Sequence, residues 1–134
     1  MDRVIFACVH NAGRSQIAAA IFSTIADPAR VQAVSAGTQP GDRVHPEVVT
    51  VMREIGIDLS TNTPRRLTDE LARTASLLVT MGCGDACPYV PGVEHMDWPL
   101  RDPSNRPLAE VRHIRDEIRA RVAALVDSRR WRRP

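Results

Sequence analysis

The sequence predicts a single α/β domain in which about four parallel strands form one sheet with helices on both faces. Three observations support this fold class. Short apolar segments alternate with helical patterns along the chain, the 134 residues suit one ordinary domain, and 43% hydrophobic residues are enough for a buried core. Ligands bind such domains where the parallel strands end at their carboxyl side, so we expect the functional residues at that edge.

Two strand–helix pairs are predicted in the first half of the chain. The short apolar runs at residues 3–9 (RVIFACV) and 31–36 (VQAVSA) predict buried strands. Apolar residues at helical spacing predict helices over residues 15–26 and 46–55. A proline opens the second of these helices and Gly56 ends it.

The second half is predicted to continue the alternation. Thr68 can cap a short helix over residues 68–74. The run at residues 76–81 (SLLVTM) is the most strand-like in the chain, and another short strand is expected at 93–97. A long apolar stripe predicts a last helix over 107–126. The basic end, SRRWRRP, is expected to be a loose solvated tail.

Composition and charge exclude several classes of function. The net charge of +2 does not mark a nucleic-acid-binding protein, and no run of about eighteen apolar residues predicts a membrane span. The first ten residues lack the apolar stretch of a signal peptide, so a cytoplasmic protein is expected. Three cysteines in a reducing compartment favour thiol chemistry or metal binding over structural disulfides.

The segment CVHNAGRS, residues 8–15, carries the strongest functional signal. It joins the first strand to the first helix, where loop N–H groups and the helix N-terminus together bind anions. Arg14 can hold two oxygens of a tetrahedral oxyanion, and the same positive field favours the Cys8 thiolate, to which Ser15 can donate a hydrogen bond. This pattern predicts covalent catalysis on phosphate or a phosphate mimic. The predicted oxyanion-binding residues are Cys8, Val9, His10, Asn11, Ala12, Gly13, Arg14 and Ser15.

The Cys-x5-Arg-Ser pattern at the first strand–helix junction resembles the low-molecular-weight protein tyrosine phosphatase superfamily, and the resemblance extends to about residue 127. It implies a low-molecular-weight phosphotyrosine phosphatase-like fold over residues 1–127, followed by the basic tail 128–134. It also implies a general acid, an aspartate followed by proline on a late loop. The segment R101-D102-P103 matches, so Asp102 would protonate the leaving oxygen.

Two further thiols distinguish two kinds of chemistry within this superfamily. The segment MGCGDACP, residues 81–88, resembles the redox segment of thioredoxin-coupled arsenate reductases. The resemblance implies that Cys8 attacks arsenate, that Cys83 then attacks Cys8 and releases arsenite, and that Cys87 moves the disulfide to Cys83–Cys87. Thioredoxin or a small thiol would supply the electrons, with no bound cofactor or metal. Phosphate or sulfate would bind as a mimic of arsenate.

Other interpretations of the same residues stay open at this stage. The chain could be a low-molecular-weight protein tyrosine phosphatase that hydrolyses phosphate monoesters through a Cys8 phosphoenzyme, or a non-catalytic oxyanion-binding module. Cys83 and Cys87 could bind zinc together with His95, or could be inert core thiols. Gly82 and Gly84 favour instead a mobile, exposed loop after the third strand.

Overall fold

The sheet contains four parallel strands in the order β2-β1-β3-β4. The computed structural model describes residues 1–83 and 87–134. Its strands are β1 Asp2–Cys8, β2 Val31–Gly37, β3 Leu77–Thr80 and β4 Glu94–Asp97. In the register of the sheet, Ala7 of β1 lies opposite both Ala36 of β2 and Thr80 of β3. The three strands therefore end at the same edge, as the sequence predicted.

Helices cover both faces of this sheet. They are α1 Arg14–Ile25, α2 Pro46–Arg53, α3 Asp69–Arg73 and α4 Leu108–Ser128. Successive strand residues point to opposite faces, so Phe6 packs in a core shared with α1, α2 and α4, whereas Ile5 packs in a smaller core with α3. The predicted fold class is confirmed. None of these helices combines the length and apolar character that a membrane crossing requires.

Side-chain hydrogen bonds explain where α3 begins and how α2 is joined to α4. Thr68 caps α3 as predicted, because its hydroxyl oxygen accepts a hydrogen bond from the Leu71 N–H at 3.1 Å. Glu54 follows α2 and accepts hydrogen bonds from Arg112 and Arg115 of α4. The Arg112 hydrogen bond holds the pKa of Glu54 below its usual range, against the opposing effect of burial, with Arg115 adding to the lowering. These contacts join α2 to α4.

The basic tail is packed against the domain, so the expectation of a loose end at residues 128–134 is wrong. Trp131 is buried, and its ring packs edge-on against Phe22 of α1 at a centroid distance of 5.9 Å. The Trp131 carbonyl accepts a hydrogen bond from the Asp27 N–H at 2.6 Å, and Arg133 N–H donates to the Ile25 carbonyl. One large apolar side chain among the arginines is enough to dock the segment. The domain boundary at residue 127 stays a prediction.

Candidate active site

The loop between β1 and α1 has its carbonyl groups turned outward. Five successive carbonyl oxygens accept hydrogen bonds from outside the loop, at distances of 2.8 to 3.2 Å. The donors are the N–H groups of Thr38, Gln39, Gly41 and His45 and the side-chain amide of Gln16, and the acceptors are the carbonyls of residues 8–12. In a trans peptide the next N–H points the opposite way, so the N–H groups of residues 9–13 face the inside of the loop. This is the geometry of an anion-binding nest.

The N-terminus of α1 adds to the positive character of this loop. The helix begins at Arg14, with Gly13 as its cap and no side-chain cap on the first-turn N–H groups. Unpaired N–H groups at a helix start carry about half a positive charge together. The loop and the helix end are therefore suited to a tetrahedral oxyanion beside the Cys8 sulfur. His10, the exposed member of the loop, points a ring nitrogen to the Gln39 carbonyl at 3.1 Å.

A directed chain of hydrogen bonds leads to the Cys8 sulfur. The backbone N–H of Arg65 can only donate, and it meets Asn11 Oδ1 at 2.8 Å, which fixes the orientation of the Asn11 amide. Asn11 Nδ2 therefore donates to Ser15 Oγ at 2.7 Å. Ser15 Oγ lies 2.9 Å from Cys8 Sγ, and its hydroxyl hydrogen, which the bond from Asn11 does not use, is available for donation to the sulfur. When Ser15 donates this hydrogen bond, it favours the thiolate form of cysteine that acts as a nucleophile.

Arg14 links the loop to the segment that precedes Asp102. Its side chain is buried, with only 7% of the residue exposed, and its Nη1 donates to the Leu100 carbonyl at 3.1 Å. The other guanidinium N–H groups make no hydrogen bond to the described residues, so they are free to hold anion oxygens. Gly82, at φ +84°, lies directly against this guanidinium, and a Cβ at that position would overlap Arg14 Nη1.

Asp102 is held at the mouth of the loop from both sides. On one side, the Leu100 carbonyl accepts a hydrogen bond from Arg14. On the other, Pro103 lies so close to Gly13 that a Cβ added to Gly13 would be 2.7 Å from the Pro103 ring. Asp102 lies between these two contacts. Its Oδ1 accepts the Ser104 N–H at 2.9 Å, whereas Oδ2 accepts no hydrogen bond from the described residues. The free oxygen is the one able to carry a proton for a leaving group.

Cys83 and Cys87 form a disulfide with a Cα–Cα distance of 5.4 Å. Cys83 is buried and Cys87 is half-buried, so the expectation of an exposed loop is wrong for Cys83. Gly84, the second glycine of that expectation, lies outside the described residues. The Met81 N–H bonds to the Ala7 carbonyl at 2.8 Å, which brings the chain leading to Cys83 beside the end of β1, where Cys8 lies. All three cysteines therefore belong to one edge of the sheet.

The competing interpretations of the two cysteines fit this geometry less well. Their sulfurs are bonded to each other, so neither is an inert free thiol. Both ring nitrogens of His95 are used, since Nδ1 lies 2.7 Å from the Val93 carbonyl and Nε2 accepts the Val90 N–H. The residues that the structure describes contain no group of three or more metal-binding side chains. The geometry thus favours a redox pair over a zinc site.

Sequence reasoning missed three partners of the loop. Gln16 was treated only as a helix residue, yet its amide bonds to Asn11. The contacts of Arg14 with Leu100 and of Gly13 with Pro103 join residues about 90 positions apart, which no local pattern reveals. The Asp-Pro pair was the only signal in the sequence that could have pointed to the latter segment.

Comparisons with known proteins point to one family. The family model of the low molecular weight phosphotyrosine protein phosphatases matches residues 3–132. A protein of Halobacterium salinarum, provisionally named an arsenate reductase, is 40% identical over 126 residues, 91% of this chain and 89% of its own. An arsenate reductase of Staphylococcus aureus strain Newman is 34% identical over 124 residues, 89% of this chain and 92% of its own.

Among solved structures, the thioredoxin-dependent arsenate reductase Cg_ArsC1' of Corynebacterium glutamicum superposes with a TM-score of 0.80 and is 40% identical. The match covers 96% of this chain but 61% of that longer protein. The range matched by the family model, residues 3–132, includes the loop at residues 8–15 and both Cys83 and Cys87.

Proposed function

The chain belongs to the low molecular weight phosphotyrosine protein phosphatase family, and we propose that within this family it reduces arsenate to arsenite. One observation carries the proposal. A disulfide-forming pair, Cys83 and Cys87, lies at the same sheet edge as the oxyanion loop and adjoins Arg14 through Gly82. Hydrolysis of a phosphate ester needs no second or third thiol, whereas reduction of arsenic(V) needs two electrons. The arsenate reductases among the relatives support the same conclusion.

The first step is nucleophilic attack on bound arsenate. The inward N–H groups of the loop, the start of α1 and Arg14 hold the oxyanion beside Cys8. The Cys8 thiolate forms a bond to arsenic, and an oxygen leaves as water after Asp102 gives it a proton. No electron is transferred in this step, and arsenic stays in the +5 state.

The second step reduces arsenic. The Cys83 thiolate attacks the Cys8 sulfur, a sulfur–sulfur bond forms, and the electron pair of the sulfur–arsenic bond leaves with arsenic as arsenite. Cys87 then attacks Cys83, which frees Cys8 and leaves the Cys83–Cys87 disulfide, the form seen here. Two thiols have been oxidised for each arsenic reduced. The half-buried Cys87 is the more accessible end of this disulfide for the next reductant.

The electron donor is thioredoxin or a small thiol acting in a reducing compartment, which fits a cytoplasmic protein without a bound cofactor. Thioredoxin is supported by the thioredoxin-dependent relative, of which this chain spans 61%. Because the oxyanion site is shared with phosphatases, slow hydrolysis of aryl phosphates through Cys8 is expected as a side activity.

The test measures arsenate-dependent NADPH oxidation with thioredoxin and thioredoxin reductase supplied. Wild type should turn over, whereas Cys83→Ser and Cys87→Ser should not, because each variant breaks the relay. Aryl phosphate hydrolysis is the internal control, since it uses only Cys8, Arg14 and Asp102 and should survive in both variants. Hydrolysis without any arsenate turnover by wild type, with thioredoxin or with a small thiol, would refute the reductase and leave a phosphatase.

A further inference from the structure

Gln16 is a buried polar residue that touches the oxyanion loop from behind. Only 4% of it is exposed, and it lies two residues after Arg14 in the first turn of α1. Its Nε2 donates to the Asn11 backbone carbonyl at 3.0 Å and to Asn11 Oδ1 at 3.2 Å. Its Oε1 accepts from Asn62 Nδ2 at 3.2 Å. A backbone carbonyl only accepts, so the orientation of the Gln16 amide is fixed.

We infer that Gln16 is a positioning residue, which holds Asn11 in the conformation that aims the Ser15 hydroxyl at Cys8 and turns the loop N–H groups inward. The biological meaning of this role rests on the proposed function. The hydrogen bonds themselves would support the binding of any tetrahedral oxyanion in the loop. The hydrogen bonds of Gln16 go to Asn11 and Asn62 and not to the Cys8 sulfur, so Gln16 acts through Asn11.

The conformation of Asn11 explains why such a brace is needed. Asn11 has φ +50°, in the left-handed region that residues with a side chain rarely adopt. One Gln16 nitrogen bonds both the backbone and the side-chain oxygen of Asn11, so it fixes the two parts of that residue relative to each other. The Arg65 N–H holds only the side-chain oxygen. Without Gln16, the Asn11 carbonyl would lose the only hydrogen-bond partner that the described residues provide for it.

The connection from Gln16 to the sulfur is continuous. Each link is a hydrogen bond between buried atoms: Gln16 to Asn11, Asn11 to Ser15, and Ser15 to Cys8. Each group in such a buried chain is held by its neighbours, so a donor lost at one end leaves the next group less firmly held. Without Gln16, Asn11 Oδ1 would keep only the hydrogen bond from the Arg65 N–H among those of the described residues. Loss of the Gln16 amide would therefore leave the Cys8 thiolate less stabilised and the anion-binding loop less ordered, although α1 itself would still form.

The test compares Gln16→Met with Gln32→Met, the same substitution at an exposed position of β2. Methionine keeps the length of the side chain but cannot donate. Both changes are made in a Cys83→Ser/Cys87→Ser background, so that only Cys8 reacts. The measurements are the rate of Cys8 alkylation by iodoacetamide at neutral pH, the protection given by inorganic phosphate and by arsenate, and the melting temperature.

Gln16→Met should lower the alkylation rate and weaken phosphate protection, each by roughly tenfold, as the loss of one or two buried hydrogen bonds implies. Gln32→Met should leave both unchanged. Values for Gln16→Met within twofold of the background protein would overturn the inference. If Gln16→Met melts too early to be measured, Asn62→Ala decides, because it removes only the exposed partner of Gln16. A fall of roughly two- to threefold in both quantities is then expected, and no change would overturn the inference.

These measurements separate the inference from the proposed function. Alkylation and phosphate protection do not depend on arsenate reduction. A protein that never reduces arsenate but shows the Gln16 effect would refute the reductase and keep the positioning role. If Gln16→Met in the protein with all three cysteines reduces arsenate as fast as wild type, and Gln16→Met in the Cys83→Ser/Cys87→Ser background binds phosphate as before, the positioning role is refuted and the reductase is kept.

Discussion

Gly82→Ala is expected to weaken anion binding by displacing Arg14 while leaving the fold in place. Gly82 lies at φ +84°, and an added Cβ would overlap Arg14 Nη1, with Arg14 Cζ at 3.5 Å and the Leu100 carbonyl at 3.6 Å. The overlapping atom is the far end of a long side chain, so the guanidinium can swing away. The backbone contact with Leu100 is of ordinary length and needs no shift. The expected result is a folded protein whose arginine no longer points into the loop.

Gly82→Ala is expected to change two quantities, the folding free energy and the free energy of phosphate binding, and a matched control variant can separate them. Placing alanine in the left-handed region costs about 1 to 2 kcal/mol of folding free energy. Gly92 has the same φ, +84°, but nothing lies within 4 Å of its added Cβ, so Gly92→Ala measures this strain alone. Loss of the charged hydrogen bonds from Arg14 to the anion weakens binding by about 1.5 to 3 kcal/mol, which lowers the affinity by about 10- to 150-fold.

Calorimetric titration with inorganic phosphate and urea unfolding would measure the two parts. Both alanine variants should lose similar stability, but only Gly82→Ala should lose phosphate affinity. Equal phosphate affinities for the two variants would refute the reasoning, because they would show that the contact between Gly82 and Arg14 does not position the Arg14 guanidinium for anion binding.

Three further predictions follow from the structure. Asp102→Asn should slow phenyl phosphate hydrolysis by about 100-fold or more and p-nitrophenyl phosphate hydrolysis much less, because only a poor leaving group needs the proton. Glu54→Gln should destabilise the protein at neutral pH in urea unfolding. Since the hydrogen bond from Arg112 lowers the pKa of Glu54 in the folded state, this difference should be full above about pH 4.3 and disappear as the pH falls further. Trp131→Ala should cost about 3 kcal/mol in the same assay, because its ring packs on Phe22.

Each of these has a contrary outcome. Equal losses on the two esters would remove Asp102 from the role of proton donor. A Glu54→Gln difference that persists unchanged in acid would show that the ion pairs with α4 do not cause the effect. A cost below about 1 kcal/mol for Trp131→Ala, no larger than that of replacing the exposed Tyr89, would mean that the tail is not part of the packed domain.

The local parts of this site could be predicted from sequence because they depend on neighbouring residues. The strand, the turn at Gly13 and the helix after it are encoded within about twenty positions, so the loop and its anion-binding N–H groups follow from the pattern. The alternation of strands and helices likewise fixed the parallel sheet and brought Cys8 and Cys83 to one edge.

The parts that could not be predicted depend on long-range packing. The bond from Arg14 to the Leu100 carbonyl joins two segments whose approach depends on the whole sheet. Gln16 looks like an ordinary polar helix residue until the loop folds back on it. Trp131 lies among arginines, and the basic composition of residues 128–134 led to the prediction of a loose tail, although the Trp131 side chain packs it against the domain. In each case the sequence shows the residue but not its partner.

The most direct test of the central claim is a single turnover without any added reductant. Fully reduced wild type, mixed with arsenate, should release about one arsenite per chain and end with a Cys83–Cys87 disulfide, both measurable by mass spectrometry. Cys87→Ser should still release arsenite but stop as a Cys8–Cys83 disulfide, and Cys83→Ser should release none. Equal arsenite release by wild type and Cys83→Ser, or none by wild type, would contradict the relay through these three thiols.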